Sequence, residues 1–198
     1  RTELVSRVRI YEWPVVAVVI GRGGKQHLEL KTDNIAGDGI TLYKRPGGGC
    51  SVVLDPGNLI ISVTLPLPGL GGIKSAFSAV SQYLIDSLSR CGVEDVQQSG
   101  VSDLTIAGRK IGGSCVYRTK GLLYYSTTLL WEHNAALVDR YLQHPPREPD
   151  YRNGREHKKF MLSLNELHPK LDLESFKELL DNELKSDLPD LEKTVNSI

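Results

Sequence analysis

Three consecutive glycines, Gly47-Gly48-Gly49, sit between apolar segments that read as strands, and this stretch limits the chain more than any other. It runs from Tyr43 to Val63: Arg45 and Pro46 precede the glycines, then come Val52-Val53-Leu54, an Asp55-Pro56-Gly57-Asn58 turn, and Leu59 to Val63. Backbone without Cβ atoms at the mouth of a sheet can lie directly against a ligand. Exposed N–H groups, the Arg45 guanidinium and the acceptors of Asp55 and Asn58 can then converge on one place, which suits phosphate. The plain alternative is a β-hairpin with a flexible glycine turn. A hairpin, however, needs only about two to five turn residues, not an arginine, a proline and three glycines followed by a second turn.

The size of the chain suits one domain. Its 198 residues, 40% hydrophobic, are enough for a single globular unit spanning 1–198, with a helical C-terminal extension at about 150–198. Lys plus Arg (24) equals Asp plus Glu (24), so no overall field argues for nucleic acid or a membrane surface as partner. Cys50, Cys91 and Cys115 form an odd, sparse set without a CxxC pair; this predicts a reducing cytoplasm and no structural zinc. The apolar run Val15 to Ile20 is far too short to span a bilayer. Because Arg1 replaces an initiator methionine, an N-terminal part is expected outside this numbering.

Periodicity supplies the elements. Val5, Val8 and Ile10 read as an exposed strand, and Val15 to Ile20 as a buried one. Gly21-Arg22-Gly23-Gly24-Lys25-Gln26 invites a P-loop reading that the spacing refuses: Val19 stands where the first glycine belongs, and Gln26 where Ser or Thr belongs. A turn with a substrate-facing edge is expected there instead. Asp33 to Gly39 is expected as loop and Ile40 to Tyr43 as strand. Ile73, Phe77, Val80, Leu84 and Leu88 predict an amphipathic helix over 73–90, capped by Gly92. Short pieces at Val93–Val96, Asp103–Ala107, Lys110–Tyr117 and Leu122–Leu130, separated by glycine turns, predict an antiparallel meander. A short helix over 134–142 and a last helix capped by Asp172, ending near Lys185, complete an α+β fold with a largely antiparallel sheet and flanking helices.

The glycine stretch and a second cluster, Asp103-Leu104 followed by Gly108-Arg109-Lys110-Ile111-Gly112-Gly113-Ser114, together resemble the biotin and lipoate protein ligase superfamily, most closely lipoate-protein ligases and their octanoyltransferase relatives. Lys44-Arg45 stand for the family's arginine pair, Gly47 to Gly49 for its glycines, Asp55 to Asn58 for its tail, and Leu122 to Leu130 for the strand after the lysine motif. Leu54 replaces the histidine of the tail, and about Ser126 the histidine before the last strand.

The resemblance implies an ATP-dependent ligase with a biotin/lipoate ligase-like fold. Lipoate and ATP would react to lipoyl-AMP, and the lipoyl group would pass to a lysine of a lipoyl-domain or H-protein-like acceptor, with Mg2+ held mainly by phosphates and water rather than by a protein cluster. Lys110 is the implied catalytic cation; Arg45, Gly47, Gly48, Gly49, Asp55, Asn58, Asp103, Gly113 and Ser114 are the implied substrate and ATP contacts. Arg45 would pair a phosphate or carboxylate, and Val18, Val19 and Ile20 would line an acyl tunnel. A separate accessory subunit is compatible with this reading. Two other readings stay open: an acyltransferase using no ATP, and a non-catalytic binder of acyl-adenylate or acylated carrier. Cys115 is expected as a buried filler rather than a nucleophile. The basic stretch from Arg147 to Lys159 is expected to cover the nucleotide, to meet an acidic acceptor, or simply to be a solvated loop.

Overall fold

The computed structural model describes residues 4–145 and 147–198. Its strands are β1 (Arg7–Glu12), β2 (Ala17–Ile20), β3 (Thr41–Lys44), β4 (Val52–Leu54), β5 (Asn58–Pro66), β6 (Gln97–Ser99), β7 (Asp103–Ile106), β8 (Arg109–Thr119) and β9 (Leu122–Leu130). The helices are α1 (Gln26–Glu29), α2 (Thr32–Gly37), α3 (Ile73–Arg90), α4 (Ala135–Tyr141), α5 (His157–Phe160), α6 (Leu164–Leu167) and α7 (Leu173–Asn196).

The main sheet is antiparallel throughout, in the order β1-β5-β9-β8-β7-β6. A smaller sheet, β3-β2-β4, is mixed: β2 runs parallel to β3 and antiparallel to β4. The alternation along β5 and β9 turns Leu59, Ile61, Val63 and Leu65 together with Leu123, Tyr125 and Leu129 into one core. The apolar stripes of α3 (Ala76, Val80, Leu84, Leu88) and α7 (Phe176, Leu180, Leu184, Leu191, Val195) cover it. A second cluster, built from Val18, Ile20, Leu30, Ile35, Val53 and Val138, lies behind the small sheet.

Three expectations differ from this fold. The 33–39 segment holds α2, because Ile35 inserts into the second cluster and Asn34 Nδ2 donates to Arg140 O at 2.8 Å. Val93 and Val96 pack into the core as part of a turn, and the strand begins at Gln97. The last helix continues past Lys185 and through Pro189 to Asn196. A proline in a helix interior costs about 3 kcal/mol, and here the buried stripe continues beyond it through Leu191 and Val195. The largely antiparallel α+β arrangement is as expected, with one parallel pair, β2 with β3, in the small sheet. Among the described residues no helix is long and apolar enough to cross a membrane.

Candidate active site

A cavity of about 1030 Å³ opens between the two sheets. Its floor is the lysine motif, and a local irregularity decides which way the lysine points. β7 and β8 pair Asp103 with Gly113 and Leu104 with Gly112, but Thr105 with Lys110, so Ile111 is an extra residue on β8. Such a bulge puts two consecutive residues on one face and re-aims the next. Ile111 and Gly112 therefore both turn towards the core, where Ile111 is fully buried, and Lys110 returns to the side of Asp103 and Gly113. Lys110 Nζ forms an ion pair with Asp103 Oδ1 at 2.7 Å, and Tyr151 donates its hydroxyl to Asp103 Oδ2 at 2.7 Å. The lysine side chain lies along Gly113, where a Cβ would stand 2.8 Å from Nζ. Ser114 Oγ accepts from the Tyr125 hydroxyl at 2.7 Å and donates to Thr127 Oγ1 at 3.0 Å.

The glycine loop forms one wall, and Arg45 shapes it. Its Nε and Nη2 donate to Gly48 O (3.1 and 2.8 Å), Nη2 also to Cys50 O (2.7 Å), and Nη1 to Val19 O (3.3 Å). These bonds fold the loop back on the end of β2. Gly49 has φ +91°, a conformation that side chains rarely adopt. Gly47 lies against Cys115, with a Cβ position 2.9 Å from its Sγ. The turn that follows β2 supports this loop from behind: a Cβ on Gly21 would meet Gly49 O at 2.2 Å, and Arg22 N donates to Gly47 O at 2.9 Å. That turn was expected to present an edge to substrate, whereas its residues stay outside the cavity wall.

Of the other sequence-predicted residues, Arg45, Gly47, Gly49, Asn58, Asp103, Gly113 and Ser114 border the cavity with Lys110. Gly48 and Asp55 do not. Asp55 is a turn former: Oδ1 accepts from Gly57 N at 3.1 Å and from Asn58 Nδ2, and Oδ2 accepts from Asn134 N at 3.2 Å, tying the turn to the start of α4. Asn58, only 2% exposed, keeps an Oδ1 without a hydrogen-bond partner among the described residues. Of the three residues expected to line an acyl tunnel, Val19 borders the cavity, while Val18 and Ile20 pack into the second core cluster. Ile60, Leu130 and the edge-to-face pair Trp13–Tyr43 complete the apolar lining.

The thiol of Cys115 is pushed up from its ordinary value by burial, with Arg45 opposing. Cys50 is also pushed up, by burial and the nearby Glu29. His157 pairs with Asp139 at 2.8 Å, yet burial holds its pKa below the usual histidine value.

The basic stretch is a strap laid across the lysine motif. Arg155 Nη2 donates to Gly108 O at 2.9 Å, Arg109 Nη2 to Met161 O at 2.6 Å, and Leu162 N to Lys110 O at 2.8 Å. It brings Tyr151 and Arg152 into the cavity wall. Tyr151 was not singled out from sequence; an aromatic residue next to an arginine, inside the one locally basic stretch, was the available signal.

The chain belongs to the family of the lipoyl protein ligase A/B catalytic domain, whose model matches residues 3–185. It is 28% identical over 134 residues to the probable lipoate-protein ligase A of Mycoplasma pneumoniae, covering 67% of this chain and 39% of that protein. The chain thus spans less than half the length of this curated relative. The fold is similar to a chain of the bi-partite lipoate protein ligase and E2 lipoyl domain system of Thermoplasma acidophilum, with a TM-score of 0.78 at 20% identity over 97% of this chain and 78% of that one. It is also similar to lipoate-protein ligase A bound with ATP, with a TM-score of 0.77 at 18% identity over 97% and 80% of the two chains.

Proposed function

We propose that the chain is the catalytic domain of an ATP-dependent lipoate-protein ligase, with the described residues forming one functional unit. The observation that carries this reading is the Lys110–Asp103 pair on the floor of a large, partly apolar cavity, opposite a glycine loop ordered by Arg45. Family membership supports it, as do the ligand and partners named for the similar proteins: ATP in one, an E2 lipoyl domain in another.

The chemistry needs such a cation. A carboxylate must attack the α-phosphorus of ATP, forming a C–O–P anhydride and expelling pyrophosphate, and negative charge accumulates as the two anions meet. A fixed ammonium among hydrogen-bond donors lowers that barrier, and removing one such group typically costs about 10²–10³ in rate. The β8 bulge that turns Lys110 towards Asp103, and the Tyr151 hydroxyl that holds Asp103, support this role for Lys110. In the second half-reaction the acceptor lysine amine attacks the acyl carbonyl, the C–O bond to AMP breaks, and the amine's proton passes to the departing phosphate or to water; Lys110 polarises the carbonyl and balances the departing phosphate. Val19, Ile60, Leu130 and Trp13 accommodate the acyl chain.

Among the described residues no group of three or more His, Cys, Asp or Glu side chains is placed to hold a metal. Magnesium would enter with the nucleotide, held mainly by phosphate and water oxygens. The acceptor is a lipoyl-domain or H-protein-like carrier, and a separate accessory subunit, of the kind implied by the bi-partite archaeal ligase, completes the enzyme where this chain alone is inactive. The test is formation of lipoyl-AMP from lipoate and Mg-ATP by the purified chain, alone and with such a subunit. Product in either arm supports the reading; its absence in both overturns it.

A further inference from the structure

The strap brings a second cation to the cavity. Arg152 is 4% exposed, borders the cavity, and stacks its guanidinium carbon 4.7 Å from the centre of the Phe160 ring. Its Nε donates to Arg155 O at 2.9 Å and lies 3.4 Å from Glu148 Oε2. Its Nη2 is buried without a hydrogen-bond partner among the described residues. Glu148 is a shared counter-charge, because its oxygens also accept from Gly154 N at 2.8 Å and pair with His144 Nε2 at 2.9 Å.

A buried guanidinium with an unused N–H edge is costly until an oxyanion meets it. Burial holds the Arg152 pKa below its ordinary value, as expected of a charge that lacks full compensation. The neighbouring arginines are differently engaged: Arg45 donates to Gly48, Cys50 and Val19 carbonyls, and Arg155 to those of Arg152, Gly108 and Tyr151. Tyr151, adjacent in sequence, is anchored on Asp103, so Arg152 is held in the neighbourhood of the Lys110 pair.

We propose that Arg152 is an oxyanion-binding residue of this cavity, receiving on its Nη2 edge either a phosphate oxygen of the nucleotide or the carboxylate of the acyl substrate. The proposal deepens the ligase reading and rests on it for the identity of the two anions.

Calorimetric titration of the full chain with Mg-ATP, inorganic pyrophosphate and lipoate separates the sources. Arg152→Lys keeps the charge but loses the planar edge; Arg152→Gln removes the charge. Both are expected to weaken one class of anion by about 10- to 100-fold, the loss of a charged hydrogen bond. Loss for Mg-ATP and pyrophosphate assigns the edge to phosphate; loss for lipoate alone assigns it to the carboxylate. Arg155→Lys loosens the same strap at the carbonyls of Arg152, Tyr151 and Gly108 but keeps the Arg152 guanidinium, and is expected to weaken binding by less than either Arg152 variant. Unchanged affinities in the folded Arg152 variants, equal weakening by Arg155→Lys, or no binding of any probe by the wild type would overturn the proposal. If the variants unfold, the Arg152 Nε–H resonance of the wild type gives the answer: it shifts at saturating pyrophosphate or lipoate if the proposal holds, and stays in place if it does not. Arg152-dependent pyrophosphate binding in a chain that makes no lipoyl-AMP would sink the ligase reading and leave this one standing.

Discussion

A Cβ placed on Gly113 would stand 2.8 Å from Lys110 Nζ, so the glycine is the surface along which the lysine lies on its way to Asp103. Gly113 does not have a positive φ, and alanine there does not strain the backbone. Gly113→Ala is therefore expected to move the lysine tip and leave the fold intact. A displacement of about 1 Å at a reacting group can cost about 100-fold in rate. Steady-state kinetics should show a kcat loss of about that size, with a melting temperature close to wild type. Wild-type turnover in the variant would show that Lys110 need not occupy this position.

Cys115 tests the distinction between ligase and cysteine-dependent transferase. Its half-buried thiol is pushed up by burial and serves as the wall behind Gly47. Cys115→Ala is expected to retain ATP-dependent acylation. Abolished activity in a folded variant would make the thiol a nucleophile and remove the need for adenylate.

Gly57 and Gly48 make a contrast in stability. A Cβ on Gly57 would come 1.6 Å from the carbonyl oxygen of Glu132, which no rotamer change relieves, whereas one on Gly48 meets nothing within 4 Å. Gly57→Ala should cost about 3 kcal/mol or more in urea unfolding, the upper end for overpacking, and Gly48→Ala less than about 0.5 kcal/mol, as for an ordinary surface change. Similar midpoints for the two would contradict the close packing of the Asp55–Asn58 turn on the end of β9.

Asp38 gives a pH dependence of definite sign. Hydrogen bonds from Arg140, at 2.6 Å from Nη2, and from the Tyr141 hydroxyl at 2.9 Å lower its pKa to about 2 from 3.8. A carboxyl held lower in the folded state contributes stability above its unfolded pKa, and that contribution is lost as pH falls towards the folded value. The stability gap between wild type and Asp38→Asn should accordingly be present at pH 6 and close between about pH 4 and about pH 2. A gap independent of pH in that window would mean that the ion pair contributes nothing.

Helix α3 was legible because it carries a 3.6-residue period that a single core face imposes, and strand β9 because the Lys120-Gly121 turn sets off its start. The two glycine-bounded clusters were legible as motifs. What their side chains do was less so, because hydrogen-bond partners are set by chain segments distant in sequence. Arg45 turned out to bind its own loop, and Asp55 the backbone of Asn134, contacts that no local pattern encodes. Tyr151 and Arg152 reach Asp103 and the cavity only because the strap crosses β8, a tertiary fact. The end of α7 was read too early, near Lys185, because the buried stripe continues beyond Pro189 through Leu191 and Val195.

The account rests on Lys110 acting as the cation for an ATP-driven acylation. Its most direct test is the intact mass of a lipoyl-domain acceptor after incubation with the chain, lipoate and Mg-ATP, beside Lys110→Ala and ATP-free controls, with an accessory subunit supplied in a parallel arm. The account predicts a gain of one lipoyl group that needs both ATP and Lys110. A gain that persists without ATP, or in the Lys110→Ala variant at wild-type rate, would contradict it.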